Sequence, residues 1–386
     1  MQQKSRFIIV TLMVALMLLL AFTLTVQASS GSRIPPNVQP VGPAPIAVAG
    51  EAQLIHASAA EQAAGYTLWT RDAMQAATPL EVQPVGESPS VFMAETVGNI
   101  EVVAALNAVS PGLGDPAAEQ ASRQAYAEDW AMIEEAAADI VADALAGGME
   151  DGVMGPTGTS AVFTRYEMNR FTQFHTGFPF KTIGRLFFQD QANLGYACSA
   201  SVVSGKNIIV TAAHCLYDTG VNKWNKNWSF VPAYRNGAAP FGTFPFQTCG
   251  VLTAWINQPN YTISGAARFD VGLCKMRNNS AGQALSATVG NLGQRYPGYP
   301  ENIHGIGYPS KYRNGTAVAN AGKYTWACTA ETRLYTTDTL AWGCDLASGM
   351  SGGPVIHRFA PFVVSGWVES VQSGRISSPN EAHVPR

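Results

Sequence analysis

The chain has 386 residues, of which 47% are hydrophobic, so it is long enough for two domains of ordinary size and can build a real core. Its net charge of −3 hides an asymmetry: residues 29–160 hold 17 acidic and 3 basic side chains, whereas residues 161–386 hold 19 basic and 10 acidic. Such an imbalance indicates two parts with separate roles. The basic residues form no dense Lys/Arg stripe, which argues against nucleic-acid binding.

The first 28 residues have the pattern of an export signal. Lys4 and Arg6 precede an apolar run that begins at Phe7, and small residues at Val26 and Ala28 mark a signal-peptidase site. This pattern predicts a secretory signal peptide over residues 1–28, and hence a secreted, extracellular protein. The alternative is a retained membrane anchor, because about 20 apolar residues can span a bilayer.

Residues 29–160 carry the acidic excess. The Pro/Ala-rich stretch Ile34–Gly50 predicts irregular or extended chain, and residues 115–145 predict a helix that begins at Asp115-Pro116 and has apolar residues on one face. We interpret residues 29–160 as an N-terminal propeptide that docks on the basic part. The alternative is an acidic solubilising region, since opposite charge alone does not prove docking. We expect the mature N-terminus between about Gly148 and Arg170.

A histidine motif lies near the start of the basic part. Residues 197–215 predict a β-hairpin with its turn at residues 204–207. Cys198 and Cys215 fall at the outer ends of the two strands, so a disulfide between them is geometrically natural. His214 directly precedes Cys215 in the sequence Thr-Ala-Ala-His-Cys, and the alternative to a functional role is a core histidine beside a cystine.

Asp270 is the carboxylate that best fits a partner for His214. It precedes Val271-Gly272-Leu273, a short apolar strand in which a carboxylate would be largely buried. The basic part holds only five aspartates, and Asp218 is too close to His214 along the chain to reach behind the imidazole ring. The alternative is a strand-end carboxylate with a local partner.

The segment Gly349-Met350-Ser351-Gly352-Gly353-Pro354 carries the candidate nucleophile. A serine hydroxyl is a poor nucleophile near neutral pH unless a histidine takes its proton and a carboxylate orients that histidine. Flanking glycines let the backbone turn sharply, so that N–H groups can point at an oxyanion forming on the substrate carbonyl. The order His, Asp, Ser therefore predicts an acyl-transfer hydrolase, with a plain glycine turn as the alternative.

These motifs resemble those of trypsin-like serine endopeptidases with the chymotrypsin double-barrel fold, and within that group the bacterial glutamyl endopeptidase-like branch. The resemblance covers roughly residues 184–366. It rests on the segments Cys198–Val203, Thr211–Cys215, Phe269–Leu273, Gly307–Pro309 and Cys344–Pro354. It implies an all-β fold of two six-stranded antiparallel barrels over residues 161–386, with the active site in the cleft between them.

The resemblance also implies the roles of the site residues. His214 would act as general base and then acid, Asp270 would orient it, and Ser351 would attack the substrate. The N–H groups of Gly349 and Ser351 would form the oxyanion hole. No cofactor would be required.

Two departures from the family pattern concern activation and specificity. Met350 stands where trypsin-like zymogens carry an aspartate that pairs with a newly freed N-terminal amine, so that ion pair is not expected here. Enzymes that cut after glutamate place a histidine in the strand after the nucleophile, and residues 363–368 hold none, which leaves the P1 preference open. The candidate pocket residues are Asp345, Ser348, Gly366 and Trp367, with simple packing as the alternative for the last three and a solvent-facing position for the first.

All six cysteines lie in the basic part, and an even number behind an export signal indicates disulfides. Cys249 with Cys274 and Cys328 with Cys344 are plausible further pairs, although six cysteines allow many other pairings. The absence of CxxC spacing and of histidine clusters argues against a metal site.

The sequence therefore predicts a secreted serine endopeptidase, made as a preproprotein, that hydrolyses peptide bonds through a Ser-His-Asp triad and an acyl-enzyme. Its expected partners are protein or peptide substrates and its own propeptide, and it is expected to be a monomer. A membrane is a partner only if the N-terminal segment is retained. The alternatives are a catalytically silent secreted binding protein of the same fold, and an envelope-anchored protein whose acidic region is the working part.

Overall fold

The computed structural model describes residues 51–80, 112–133, 153–154, 163–168, 175–257, 267–295, 302–336, 339–360, 365–375 and 381–385. The predicted export signal, the Pro/Ala-rich stretch and the C-terminal end of the predicted acidic helix lie outside these residues. Among the residues described, no helix is both long enough and apolar enough to cross a bilayer.

Most of the regular structure is β. The strands are β1 Ala52–His56, β2 Thr78–Pro79, β3 Val153–Met154, β4 Phe163–Glu167, β5 Ile183–Gln189, β6 Gly195–Ser204, β7 Ile208–Thr211, β8 Tyr217–Asp218, β9 Lys223–Trp224, β10 Lys226–Pro232, β11 Phe244–Leu252, β12 Gly272–Met276, β13 Gly293–Gln294, β14 Asn302–Gly307, β15 Trp326–Thr336, β16 Thr339–Gly343, β17 Pro354–Ala360, β18 Ser365–Val371, β19 Gly374–Arg375 and β20 Glu381–Pro385. The α-helices with defined bounds are Ala59–Ala64, Arg71–Ala76, Pro116–Ala125, Thr253–Ile256 and Leu285–Val289.

The first barrel is a closed antiparallel sheet. Its strands follow the order β11, β10, β5, β6, β7 and β12, and pairing of β11 with β12 closes the circle. Runs such as Ile-Gly-Arg-Leu-Phe-Phe in β5 are almost wholly buried, because one face packs inside the barrel and the other is covered by the acidic region. The barrel interior is filled by large apolar side chains, including Leu186, Val202, Ile209, Trp228, Phe230 and Phe246.

The predicted hairpin forms β6 and β7, with its turn at residues 205–207, within the predicted 204–207. Asn207 adopts φ 61°, a left-handed conformation that asparagine tolerates in tight turns. The Cys198–Cys215 bridge joins the hairpin to the short 3₁₀ turn that carries His214. The other two pairs predicted from the sequence, Cys249–Cys274 and Cys328–Cys344, are also bonded.

The second sheet is centred on β18, β17, β14, β15 and β16, with β4 paired on β15 and β20 paired on β16. Its core contains Ile303, Leu340, Trp342 and Val355. Gly305 of β14 leaves room for the Trp342 indole, since a Cβ at position 305 would collide with that ring. The two sheets together match a chymotrypsin-like double β-barrel, which confirms the all-β fold class.

The acidic region packs on the first barrel. β1 pairs with β11 along its full length. The helix Pro116–Ala125 starts at the predicted position, where the Asp115 side chain accepts a hydrogen bond from the Ala117 N–H at 2.9 Å. A further helical segment, 127–133, follows after a break at Tyr126, and its Trp130 ring meets the Phe241 ring edge-on at 5.3 Å. Helix and strand therefore both attach this region to the barrel.

Replacing Cys198 and Cys215 together with serine is expected to lower the free energy of unfolding by about 3 kcal/mol, because the bridge closes a loop with a sequence separation of 17. The matched control is the double serine variant at Cys328 and Cys344, whose separation is 16 and whose stability loss should be similar. Denaturant unfolding measures both. Amide hydrogen exchange of residues 211–218 should become faster only in the first variant. Equally faster exchange in both variants would contradict the conclusion that the Cys198–Cys215 bridge holds the His214 turn.

Candidate active site

Strand pairing brings His214 and Asp270 together. His214 follows β7 and Asp270 precedes β12, and these strands pair with Thr211 opposite Gly272. The His214 Nδ1 lies 2.7 Å from Asp270 Oδ2, and the His214 backbone N–H donates to Asp270 Oδ1 at 2.9 Å. The Asp270 side chain is fully buried, while that of His214 is 11% exposed. The carboxylate thus fixes both the ring and the backbone of the histidine.

A third group, Ser373, also binds Asp270. Its hydroxyl donates to Asp270 Oδ2 at 2.5 Å, and both side chains are buried. No pattern in the sequence singles out Ser373, because nothing near it along the chain connects it with Asp270. Burying a carboxylate is costly unless hydrogen-bond donors surround it, and Ser373 supplies one such donor.

The loop with Ser351 is docked on β6 through Ser199. The Ser199 N–H donates to the Ser351 carbonyl at 2.8 Å, and the Ser199 hydroxyl donates to the Gly349 carbonyl at 2.7 Å. That hydroxyl also accepts a hydrogen bond from the Tyr308 N–H at 3.0 Å, so the Gly-Tyr-Pro motif joins the same cluster. The sequence predicts no role for Ser199, which is named there only as part of the segment Cys198–Val203.

The glycines of the Ser351 loop are needed where the two barrels meet. Gly352 has φ 77°, and a Cβ there would collide with the Thr211 hydroxyl, which lies three residues before His214. Ser351 itself is 8% exposed. Contact of Gly352 with Thr211 therefore brings the Ser351 and His214 loops side by side.

Gly349 presents its N–H toward the acidic region. It has φ 95°, which favours glycine, and a Cβ there would collide with the Tyr308 carbonyl. Its N–H donates to the Leu80 carbonyl at 3.2 Å. The candidate oxyanion donor is thus able to bind a peptide carbonyl. Met350, next to it, is buried in the core of the second sheet.

Asp345 is held in an ion pair. Its carboxylate pairs with the Arg165 guanidinium, which β4 contributes. Burial raises the pKa of the Asp345 carboxyl above its ordinary value, and Arg165 offsets this only in part. Ser348 lies in the same loop, where its carbonyl accepts hydrogen bonds from the Ser310 N–H at 2.7 Å and the Ser310 hydroxyl at 3.0 Å.

Gly366 and Trp367, the other two candidate pocket residues, lie in β18. Trp367 pairs with Gly293 of β13, and Gly366 faces Ile356 and Leu292 at packing distance. The residue of this region that contacts Asp270 is Ser373, farther along the chain. The pocket roles of Gly366 and Trp367 stay predictions.

One group of metal-ligand type is present among the described residues, formed by Cys198, His214 and Cys215. The two sulfurs are bonded to each other, so they offer no thiolate to a cation. The cluster is therefore explained by the disulfide.

The trypsin family model matches residues 177–380, more than half of the chain, and the chain therefore belongs to the trypsin family. It is a serine peptidase by family, with three disulfides. No curated protein sequence matches the chain.

Three solved protease structures are similar to this chain. The protease Anisep from Arthrobacter nicotinovorans is 28% identical, over 53% of this chain and 89% of that one, with a TM-score of 0.45. The thermostable serine protease AL20 from an extremophilic microorganism is 21% identical over 53% and 90%, with a TM-score of 0.44. A Glu endopeptidase is 17% identical over 59% and 92%, with a TM-score of 0.46.

Replacing Ser373 with alanine is expected to lower the free energy of unfolding by about 1.5–3 kcal/mol, because the buried Asp270 carboxylate loses a donor. The peptidase rate should fall as well, since Asp270 would hold His214 less firmly. Ser201→Ala is the matched control: this buried serine lies on β6, and its hydroxyl has no hydrogen-bond partner within the described residues. Denaturant unfolding and peptide hydrolysis test both variants, and equal effects would count against the role of Ser373.

Replacing Asp345 with asparagine is expected to leave the P1 preference unchanged, because Arg165 already compensates this charge. Stability should fall, since Arg165 would lose its anion. Mapping of cut sites in a diverse peptide pool measures the preference, and the Asp345→Asn, Arg165→Met double variant should recover part of the stability. Selective loss of cleavage after Lys or Arg would instead place Asp345 against the substrate.

Proposed function

We propose that the protein is a secreted serine endopeptidase that works through Ser351, His214 and Asp270. The observation that carries this proposal is the pairing of His214 Nδ1 with the buried Asp270 carboxylate at 2.7 Å. The Ser351 loop is docked beside the His214 loop by its contact with Thr211. Such an arrangement serves to deprotonate a serine hydroxyl.

The chemistry follows from the placement of the charges. With Nδ1–H bound to Asp270, the other ring nitrogen of His214 carries the lone pair that accepts the Ser351 proton as Oγ attacks the peptide carbonyl. The imidazolium then gives that proton to the leaving amine, which departs as the C–N bond breaks. Water, deprotonated by the same imidazole, hydrolyses the acyl-enzyme and restores Ser351. Asp270 stabilises the imidazolium in both halves of the reaction.

Backbone donors stabilise the oxyanion in this mechanism. The N–H groups of Gly349 and Ser351 bind the oxygen on which charge develops, and each such donor is typically worth about 10²–10³ in rate. The hydrogen bond from Gly349 to the Leu80 carbonyl supports this role, because it shows the N–H presented to a peptide oxygen.

The protein is further proposed to be made as a preproprotein, with a signal peptide over residues 1–28 and an acidic propeptide over residues 29–160. Contacts of the acidic region with the first barrel support a docked propeptide, for example Glu119 with Lys181 at 2.9 Å. Pairing of β4 with β15 supports a mature N-terminus before Phe163. Met350 supports the glutamyl endopeptidase-like branch, because members of that branch also lack the aspartate that pairs with a new N-terminal amine.

Replacing Ser351 with alanine should abolish peptide hydrolysis and labelling by a fluorophosphonate while leaving the circular dichroism spectrum unchanged. Asp270→Asn should lower kcat by about 10⁴, because the imidazole would lose its orienting anion. Labelling that persists in the Ser351→Ala protein, at another serine, would show that the nucleophile was assigned to the wrong residue.

A further inference from the structure

A short stretch of the acidic region lies against the edge of the first barrel. β2 pairs in parallel with β6, with Thr78 opposite Tyr196 and Pro79 opposite Ala197. The pairing continues for one more residue, since the Leu80 N–H donates to the Ala197 carbonyl at 2.9 Å. This edge of β6 therefore binds an extended peptide through backbone hydrogen bonds.

The same stretch reaches the Ser351 loop. Leu80, whose N–H is bound by β6, has its carbonyl bound by the Gly349 N–H at 3.2 Å. The Pro79 ring lies directly beside Gly349. A Cβ built on Gly349 would be only 3.2 Å from the Pro79 Cβ. Leu80 thus spans from the first barrel to the candidate oxyanion donor. A substrate carbonyl that needs the Gly349 N–H must therefore displace the Leu80 carbonyl.

Buried anchors hold the stretch in place. The Trp69 indole N–H donates to the Asn227 carbonyl at 2.9 Å, and its ring lies 5.3 Å from the Phe187 ring. Met74 and Ala77 are 4% and 5% exposed. Such tethering gives residues 77–80 a high effective concentration at the groove, so that a few backbone hydrogen bonds suffice to occupy it.

We propose that residues 77–80 are a built-in inhibitor that fills a peptide-binding groove formed by the Tyr196–Ala197 edge of β6 and the Gly349 N–H. This inference rests on the proposed function of the Ser351 site. The inhibitor acts through the backbone of Leu80, which occupies the oxyanion donor without being cut. Because its anchors precede Leu80, one cut between the acidic region and the barrels leaves the inhibitor seated, and activity requires its later removal.

The test compares labelling of Ser351 by a fluorophosphonate in the full-length precursor and in the processed enzyme. The precursor should react at least about tenfold more slowly, because its oxyanion donor is occupied. Leu80→Pro removes the N–H that Ala197 binds, so that precursor should react at close to the processed rate. Leu80→Ala keeps both backbone groups and is the matched control, which should stay slow. After complete processing all three proteins should react equally, which shows that the barrels are correctly folded.

Three results would overturn the proposal that residues 77–80 are an inhibitor. The first is a wild-type precursor that reacts as fast as processed enzyme, and the second is a Leu80→Pro precursor that reacts as slowly as wild type. The third is cleavage between Leu80 and Glu81, which would make the stretch a substrate. A processed enzyme that never reacts at Ser351 would instead refute the proposed function.

Hydrogen exchange in the Ser351→Ala precursor tests the seating of the stretch without any catalysis. Leu80→Pro should raise exchange in peptides spanning residues 195–199 and 346–352, and unchanged exchange would refute the groove.

Discussion

The hydrogen bonds of Ser199 are the interaction on which the candidate active site depends. This one residue of β6 donates to the carbonyls of Ser351 and Gly349 and accepts from the Tyr308 N–H. Its neighbour Cys198 is bonded to Cys215, which follows His214. The nucleophile and the base come from different barrels, and such residues hold a fixed geometry only if rigid contacts cross between the barrels. Ser199 provides such contacts beside the Ser351 loop, and the adjacent bridge fixes the His214 turn to β6 within the first barrel.

Packing, more than charge, holds the acidic region on the first barrel. The ion pair Lys181–Glu119 at 2.9 Å joins the two parts, but its Glu119 side chain is 30% exposed, and an ion pair open to solvent contributes about 0–1 kcal/mol. Burying a large apolar side chain contributes about 1.5–3 kcal/mol, and Trp69 and Trp130 are 7% and 4% exposed. The opposite charges of the two parts speed encounter, whereas the aromatic anchors and strand pairing determine where residues 77–80 lie.

The contacts that the sequence did not predict join residues far apart in the chain. Asp345, a candidate pocket residue, pairs with Arg165 of β4, and no local pattern connects positions 165 and 345. Ser373 was missed for the same reason: its importance comes from its contact with Asp270, about a hundred residues earlier in the chain.

The sequence by itself determined the fold class, the hairpin, the start of the acidic helix and the family. These features depend on short-range rules, such as alternation in strands, proline and aspartate at a helix start, and glycines around a nucleophile. The tertiary structure alone decided that Ser199 joins the two barrels, that Ser373 binds Asp270, and that Leu80 occupies the Gly349 N–H. Each of these is a hydrogen bond between common residues whose partner lies on a distant segment of the chain. Which distant segments meet is determined by the packing of the whole molecule, which no single segment encodes.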